Sequence, residues 1–310
     1  MSVMSAEMRA ILEALAATPD YQAMDIAEAR SAFAATASGW NVLLPDLNSH
    51  DTEIAGVPCR ILVPTARRQG TVVFVHGGGW TFGSPATHER FARLLALYSG
   101  TTVVAPDYRL APEAPCPAAI EDIGKVVRGV SSAENPLVLC GDSAGANIAL
   151  ATALAHHPVN LAALSLLYGC FAPNFDTDSH ERNGDGRYGL SSDRMRWYWG
   201  NWLGDAHHPW AAPLYANLSG LPWTHLLCAG LDPLADDSIK LAAQLVAYDV
   251  ECRLDCIPGV VHGFLQMTAK LPEAESATRM LGRIIRERID IQAAAPEQAS
   301  PVWGENFASS

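Results

Sequence analysis

The chain has 310 residues, 49% of them hydrophobic, enough for a sizeable core in one large α/β domain or two small ones. Its net charge of -12 argues against a nucleic-acid or anionic-membrane partner, since both favour a basic face. No apolar run is long enough to span a bilayer, Glu7 and Arg9 interrupt the stretch that a cleaved signal peptide would need, and the seven cysteines sit mostly in apolar strand-like runs as small buried hydrophobes. These features predict a globular, cytoplasmic enzyme in a reducing compartment, with no metal or disulfide role for the cysteines.

From the N-terminus, Met8, Ile11, Leu12 and Leu15 share one helical face, and a second helix is predicted from Ile26 to Ala35. Both precede any strand, so residues 1–45 are set apart from the main sheet as cap helices. The segment from Asp51 to Pro64 holds two short β runs hinged at Gly56, Val57 and Pro58, as expected of an antiparallel edge hairpin. Thr71 to Val75 is an unbroken β-branched and aromatic run, suited to a strand buried on both faces. It stops at His76-Gly77-Gly78-Gly79-Trp80. A helix from Phe91 to Tyr98 and a buried strand from Thr101 to Pro106 follow. Next comes a turn whose Asp107, Arg109 and Glu113 read as structural anchors, then an amphipathic helix from Pro117 to Val130.

Val138 to Leu150 is the stretch the rest serves. An apolar run meets a Gly-x-Ser-x-Gly core at Gly141, Ser143 and Gly145, and small helical residues follow at once. That is the order of a nucleophile elbow, which lifts a serine hydroxyl onto a tight strand-to-helix turn within reach of a histidine. A strand from Leu161 to Tyr168 follows, and then the alternation breaks. Residues 171–223 carry five of the eight tryptophans (Trp197, Trp199, Trp202, Trp210 and Trp223), so this insertion reads as the second part of the cap. Strands resume at His225 to Gly230 and at Cys252 to Ile257, separated by a helix that ends near Tyr248. A closing helix spans Glu273 to Ile291, and residues 293–310, rich in Ala, Pro and Ser, read as a loosely held tail. Strand–helix alternation over 46–170 and 224–292 requires crossovers and a mostly parallel sheet covered on both faces.

Ligands of such sheets bind beyond the carboxyl ends of the strands. Ser143, Asp232 and His262 all fall there, in the chain order serine, acid, histidine expected of the α/β-hydrolase fold. Ser143 is the candidate nucleophile, His262 its general base and Asp232 the group that orients the imidazole. Among ten histidines, His262 alone directly follows the last strand, whereas His156, His157, His207 and His208 lie where surface or cap histidines would. Asp236 and Asp237 compete for the acid role but lie a helical turn further on. Backbone N–H groups of Gly78, Gly79 and Ala144 are candidates for an oxyanion hole, because unobstructed amides can face a developing negative charge. The Gly-Lys-Ser/Thr ending of a phosphate loop is missing. Trp80, Trp197, Trp202 and Phe264 are candidate substrate contacts, and the wealth of cap tryptophan suggests a tight, short-acyl pocket.

Five motifs in this order carry a family likeness: His76-Gly-Gly-Gly-Trp, Asp107-Tyr-Arg-Leu-Ala-Pro-Glu, Gly141-Asp-Ser-Ala-Gly, Asp232-Pro-Leu-x-Asp-Asp and His262-Gly-Phe. Over roughly residues 45–290 the chain resembles the hormone-sensitive-lipase-like (bacterial family IV) esterases. The resemblance implies an α/β-hydrolase core, a cap of N-terminal helices plus an insertion, and carboxylester hydrolysis without cofactor or metal. It also implies Gly78 and Gly79 as oxyanion donors, supports Asp232, and suggests a homodimer through the sheet edge and last helix. Ala146 stands where a third glycine is common, and Cys116 where an aromatic usually precedes Pro-Ala-Ala. The runner-up activity is that of an arylformamidase, whose His-Gly-Gly-x-Trp loop Trp80 also fits. A receptor of the same fold would lack the histidine that His262 supplies.

Overall fold

The computed structural model describes residues 4–204 and 208–295. It opens with two helices, α1 (Ala6–Leu15) and α2 (Ile26–Ser38). Their starts are capped, by Ser5 Oγ accepting the Met8 N–H and by Asp25 Oδ1 accepting those of Ala27 and Glu28. The chain then runs through β1 (Asn48–Ile54), β2 (Val57–Val63), β3 (Thr71–Val75), α3 (Glu89–Ser99), β4 (Thr102–Pro106), α4 (Ala118–Val130), β5 (Leu137–Asp142), α5 (Ala144–His156) and β6 (Leu161–Leu167). After α6 (Asp178–Asn183) and α7 (Ser192–Leu203) come β7 (Thr224–Leu231), α8 (Ala235–Ala247), β8 (Cys252–Val261) and α9 (Pro272–Ala294).

Among the described residues, eight strands form one sheet in the order β1-β2-β4-β3-β5-β6-β7-β8. β1, β2 and β4 pair antiparallel, and every pairing from β4 onward is parallel. Side chains alternate across a strand, so a strand buried on both faces feeds two cores. Val72 and Phe74 of β3 pack with Phe91 and Leu95 of α3 and with Leu281 and Ile285 of α9. Val73 and Val75 point the other way, toward Ile123 and Val127 of α4 and Ile148 of α5. Helix α5 is buried from Ala144 to Leu154, which explains why its residues are small and apolar on every side. The outer strand β1 is the opposite case, polar and exposed over nearly its whole length, as an unpaired edge should be.

Several boundaries differ from the sequence expectation. The hairpin begins at Asn48 rather than Asp51. β8 continues beyond Ile257 through Pro258 and Gly259 to Val261; as an edge strand it has a neighbour on one side alone, where a proline lacking an N–H is tolerated. Of the expected tail, residues 293 and 294 belong to α9, and residues 296–310 lie outside the described residues.

The turn after β4 is an anchor. Arg109 Nε donates to Asp122 Oδ2 at 2.7 Å, and Arg30 of α2 forks onto Glu113 while donating to the carbonyls of Thr81 and Ala111. Helix α2 is thereby held on the loops that follow β3 and β4. Among the described residues, no helix is long and apolar enough to cross a membrane.

Candidate active site

β5 ends at Asp142, α5 begins at Ala144, and Ser143 alone makes the turn between them with φ 54° and ψ -122°. This conformation is unfavourable for a residue with a Cβ and persists because its surroundings fix it. The Ser143 N–H donates to Leu167 O at 2.9 Å. The elbow glycines are there for space: a Cβ on Gly145 would lie 2.0 Å from Val75 O, and one on Gly141 would lie 2.3 Å from Gly145 O. Ala146 is fully buried in the core without disturbing that turn.

Asp232 ends up beside Ser143 because β7 stops one residue before it, and His262 because β8 stops at Val261. His262 Nδ1 lies 2.8 Å from Asp232 Oδ2, and its Nε2 lies 2.8 Å from Ser143 Oγ. A carboxylate is an acceptor only, so the proton on Nδ1 faces Asp232 and Nε2 is left to accept the serine hydroxyl. The other Asp232 oxygen accepts the Leu234 N–H at 2.9 Å, and the side chain is fully buried. The rival acids are used elsewhere. Asp236 accepts the Ser179 N–H at 2.9 Å and Asp237 the Phe171 N–H at 2.7 Å, and burial pushes Asp237 up to about 7.

In the triple-glycine loop the three residues do different things. The Gly77 N–H donates to Asp142 Oδ1 at 2.8 Å. Gly78 and Gly79 have φ of 118° and 59°, and both glycines line the cavity in front of Ser143. A Cβ on Gly78 would strike Phe82 O at 2.3 Å, and one on Gly79 the Tyr198 ring at 2.2 Å. Ala144 supplies the first N–H of α5. Beneath the loop the buried His76 ring stacks on Tyr108 at 4.3 Å, and burial pushes it down to about 3, so it is neutral.

Asp142, immediately before Ser143, is the polar centre that sequence reasoning missed. Its second oxygen meets Gln266 Nε2 at 3.3 Å, the Tyr168 hydroxyl at 3.5 Å and His88 Nε2 at 3.7 Å. Burial opposes its charge, but His88 and the Gly77 N–H outweigh it and hold the carboxyl below its usual range.

A cavity of about 390 Å³ opens onto Ser143 and His262. Its outer wall comes from the two segments expected to form a cap: Leu12 and Leu15 of α1, Phe33 of α2, and Tyr188, Met195 and Tyr198 from the insertion. The four expected substrate contacts are not in that wall. Trp80 and Trp202 are buried and stacked on each other, ring centroids 5.2 Å apart, while Trp197 lies against Phe82 and Tyr198. Phe264 is buried against Tyr168. Rings of this size bury most area where two layers meet, and Trp197 and Trp202 join the insertion to the segment after β3 through Phe82 and Trp80. His208 starts a short helical turn and His156 packs on Trp210, away from the cavity, while His207 lies outside the described residues. No group of three or more potential metal ligands occurs among the described residues.

A sheet of this order with an elbow on its fifth strand defines the α/β-hydrolase class. The family model for the alpha/beta hydrolase fold matches residues 72–266. Acetyl esterases of Salmonella choleraesuis and Salmonella typhi are each 32% identical to the chain over 270 residues, covering 81% of it and 83% of themselves. Among solved structures, an esterase of Pyrobaculum calidifontis is 30% identical with a TM-score of 0.83, covering 92% of this chain and 98% of its own. An esterase from the bacterial hormone-sensitive lipase family gives 26% and 0.86, with coverage of 93% and 99%. The chain belongs to the α/β-hydrolase family, and within it is a hormone-sensitive-lipase-like carboxylic ester hydrolase.

Proposed function

We propose that the chain is a serine carboxylesterase that hydrolyses small to medium acyl esters through an acyl-enzyme intermediate. The observation that carries the reading is the chain of two 2.8 Å hydrogen bonds from Asp232 through His262 to Ser143, in a cavity whose lining includes Ser143, His262, Gly78 and Gly79. Ser143 Oγ attacks the ester carbonyl while His262 Nε2 takes its proton. Negative charge then grows on the carbonyl oxygen and is met by the N–H groups of Gly78, Gly79 and Ala144. As the tetrahedral intermediate collapses, the alcohol leaves with the proton held by His262. Water repeats the sequence on the acyl-serine and releases the acid. Asp232 keeps the imidazole in the tautomer both halves need and stabilises its cation. The acetyl esterase relatives support a short acyl group. The tryptophans of the insertion do not, since their rings lie outside the cavity, which Trp40 of the N-terminal segment lines instead.

The test is the initial rate of purified protein on p-nitrophenyl esters of graded acyl length and on N-formylkynurenine, with Ser143→Ala beside it. Short esters should turn over fastest, and the variant should lose about 10⁴-fold or more. Faster cleavage of the formamide would put the arylformamidase reading in its place. No serine-dependent turnover of either would leave a binding role.

A further inference from the structure

In a chain with 33 acidic and 21 basic residues, arginines find carboxylates easily. Arg30, Arg60, Arg93, Arg109, Arg187 and Arg253 all do so within 3 Å. Arg194 does not. It lines the cavity that holds Ser143 and His262, it is half-buried, and it makes no ion pair among the described residues. Its side chain has one hydrogen bond there, a long 3.5 Å contact from Nη1 to Gly189 O, and its Nε is buried without an acceptor. A guanidinium partly removed from water and left without an anion loses hydration that nothing in the chain restores.

Its place on α7 adds to this. Arg194 is the third residue of the helix, where the helix dipole already gives positive potential, so a cation there is opposed rather than supported by its own element. The neighbouring Asp193 is exposed and turned to Arg196 at 3.1 Å. Four residues after Arg194 comes Tyr198, whose ring lies against Gly79. One helical turn, about 6 Å along the axis, therefore separates Arg194 from the residue that touches the proposed oxyanion loop. The other cation of the lining, Arg187, is exposed, bound to Asp185 at 2.7 Å and laid over the Tyr188 ring. The carboxylate in the lining, Asp142, is already held by Gly77, Gln266 and His88.

We infer that Arg194 is a specificity residue that receives a carboxylate on the alcohol part of the substrate, so that the preferred ester is a short-acyl ester of an anionic alcohol. The inference rests on the esterase reading. A short acyl group such as acetyl carries no charge of its own, which leaves the alcohol part to supply the anion. One unpaired guanidinium matches a single negative charge, and its fork suits the two oxygens of a carboxylate.

The experiment compares 4-acetoxybenzoate with 4-acetoxybenzamide, which differ in charge but little in size, using wild type, Arg194→Gln, Arg194→Lys and Arg187→Gln. Wild type should favour the carboxylate. Arg194→Gln should lower the ratio of the two kcat/KM values by roughly 10- to 100-fold, the worth of a charge-assisted hydrogen-bonded pair, with the loss in KM rather than kcat. Arg194→Lys should restore part of the ratio, and Arg187→Gln should move it less than Arg194→Gln does. The ratio also guards against misfolding, because general damage lowers both rates together. An unmoved ratio in Arg194→Gln, a wild-type preference for the amide, or an equal shift in Arg187→Gln would overturn the inference while serine-dependent hydrolysis of the benzamide ester still upheld the esterase reading. Failure of wild type to hydrolyse either acetate would overturn both.

Discussion

The cavity has two sides built on different principles. On the sheet side, Ser143, Asp232 and His262 each follow a strand within a residue, and linked 2.8 Å hydrogen bonds fix their spacing. Gly78, Gly79 and Ser143 hold positive φ, so the backbone itself sets where the proposed reacting groups stand. On the other side, Leu12, Leu15, Phe33 and Met195 present apolar side chains from helices. Positions on the first side tolerate no change of shape. Those on the second can be resized, which is how one arrangement of reacting groups serves different esters.

The two sides touch where Tyr198 lies on Gly79, and the largest effect of a change in shape is expected there. Gly79→Ala should reduce kcat by about 100-fold, the usual cost of misplacing an oxyanion donor, because its Cβ would overlap the Tyr198 ring and the φ of 59° suits glycine. Adding Tyr198→Ala should recover part of the loss, and a double-mutant cycle measures how much. Strict additivity would show that the two sides are independent. A resized wall should act more mildly. Leu15→Trp should lower kcat/KM for bulky esters roughly 10-fold relative to acetates, with little change in kcat for p-nitrophenyl acetate. A uniform loss across the ester series would instead place α1 in the support of the sheet side.

The smallest effect concerns stability. His76 sits near 3 when folded, below its ordinary 6.5, so between those values the unfolded chain binds a proton that the folded chain refuses. Its contribution is complete above pH 6.5 and is lost as pH falls toward 3. Asp237, raised to about 7, acts in the opposite direction and costs stability as pH rises through the range from about 4 to 7. His76→Gln should therefore melt lower than wild type near neutrality yet show a flatter decline of Tm between pH 6.5 and 4. Parallel melting curves in that range would remove His76 from the acid response.

The sheet side was the legible one. Buried parallel strands are continuous apolar runs, and the candidate residues follow them in a known chain order, so the meeting of Ser143, Asp232 and His262 was readable before any coordinate. Asp142 was harder to interpret, because its partners Gly77, His88, Tyr168 and Gln266 are scattered through the chain and meet only in the folded sheet. The cap was misread at the level of side chains. Tryptophan is as useful for gluing layers as for gripping a ligand, and nothing in the spacing of Trp197 and Trp202 says which way a helix will turn them. The pocket wall fell instead to Leu12, Leu15 and Tyr198, whose helical periodicity looks like that of any buried face.

The Asp142 carboxylate ties the glycine loop to the serine turn, one oxygen on the Gly77 N–H and the other among Gln266, Tyr168 and His88. A loop joined in this way cannot swing out while Ser143 stays in place without breaking that bond. Fluctuations that expose one must expose the other, so the pair forms a single opening unit. Gradual heating would thus sort molecules into two populations, fully competent or inert, with no slowly working form that has kept its serine but lost the loop beside it.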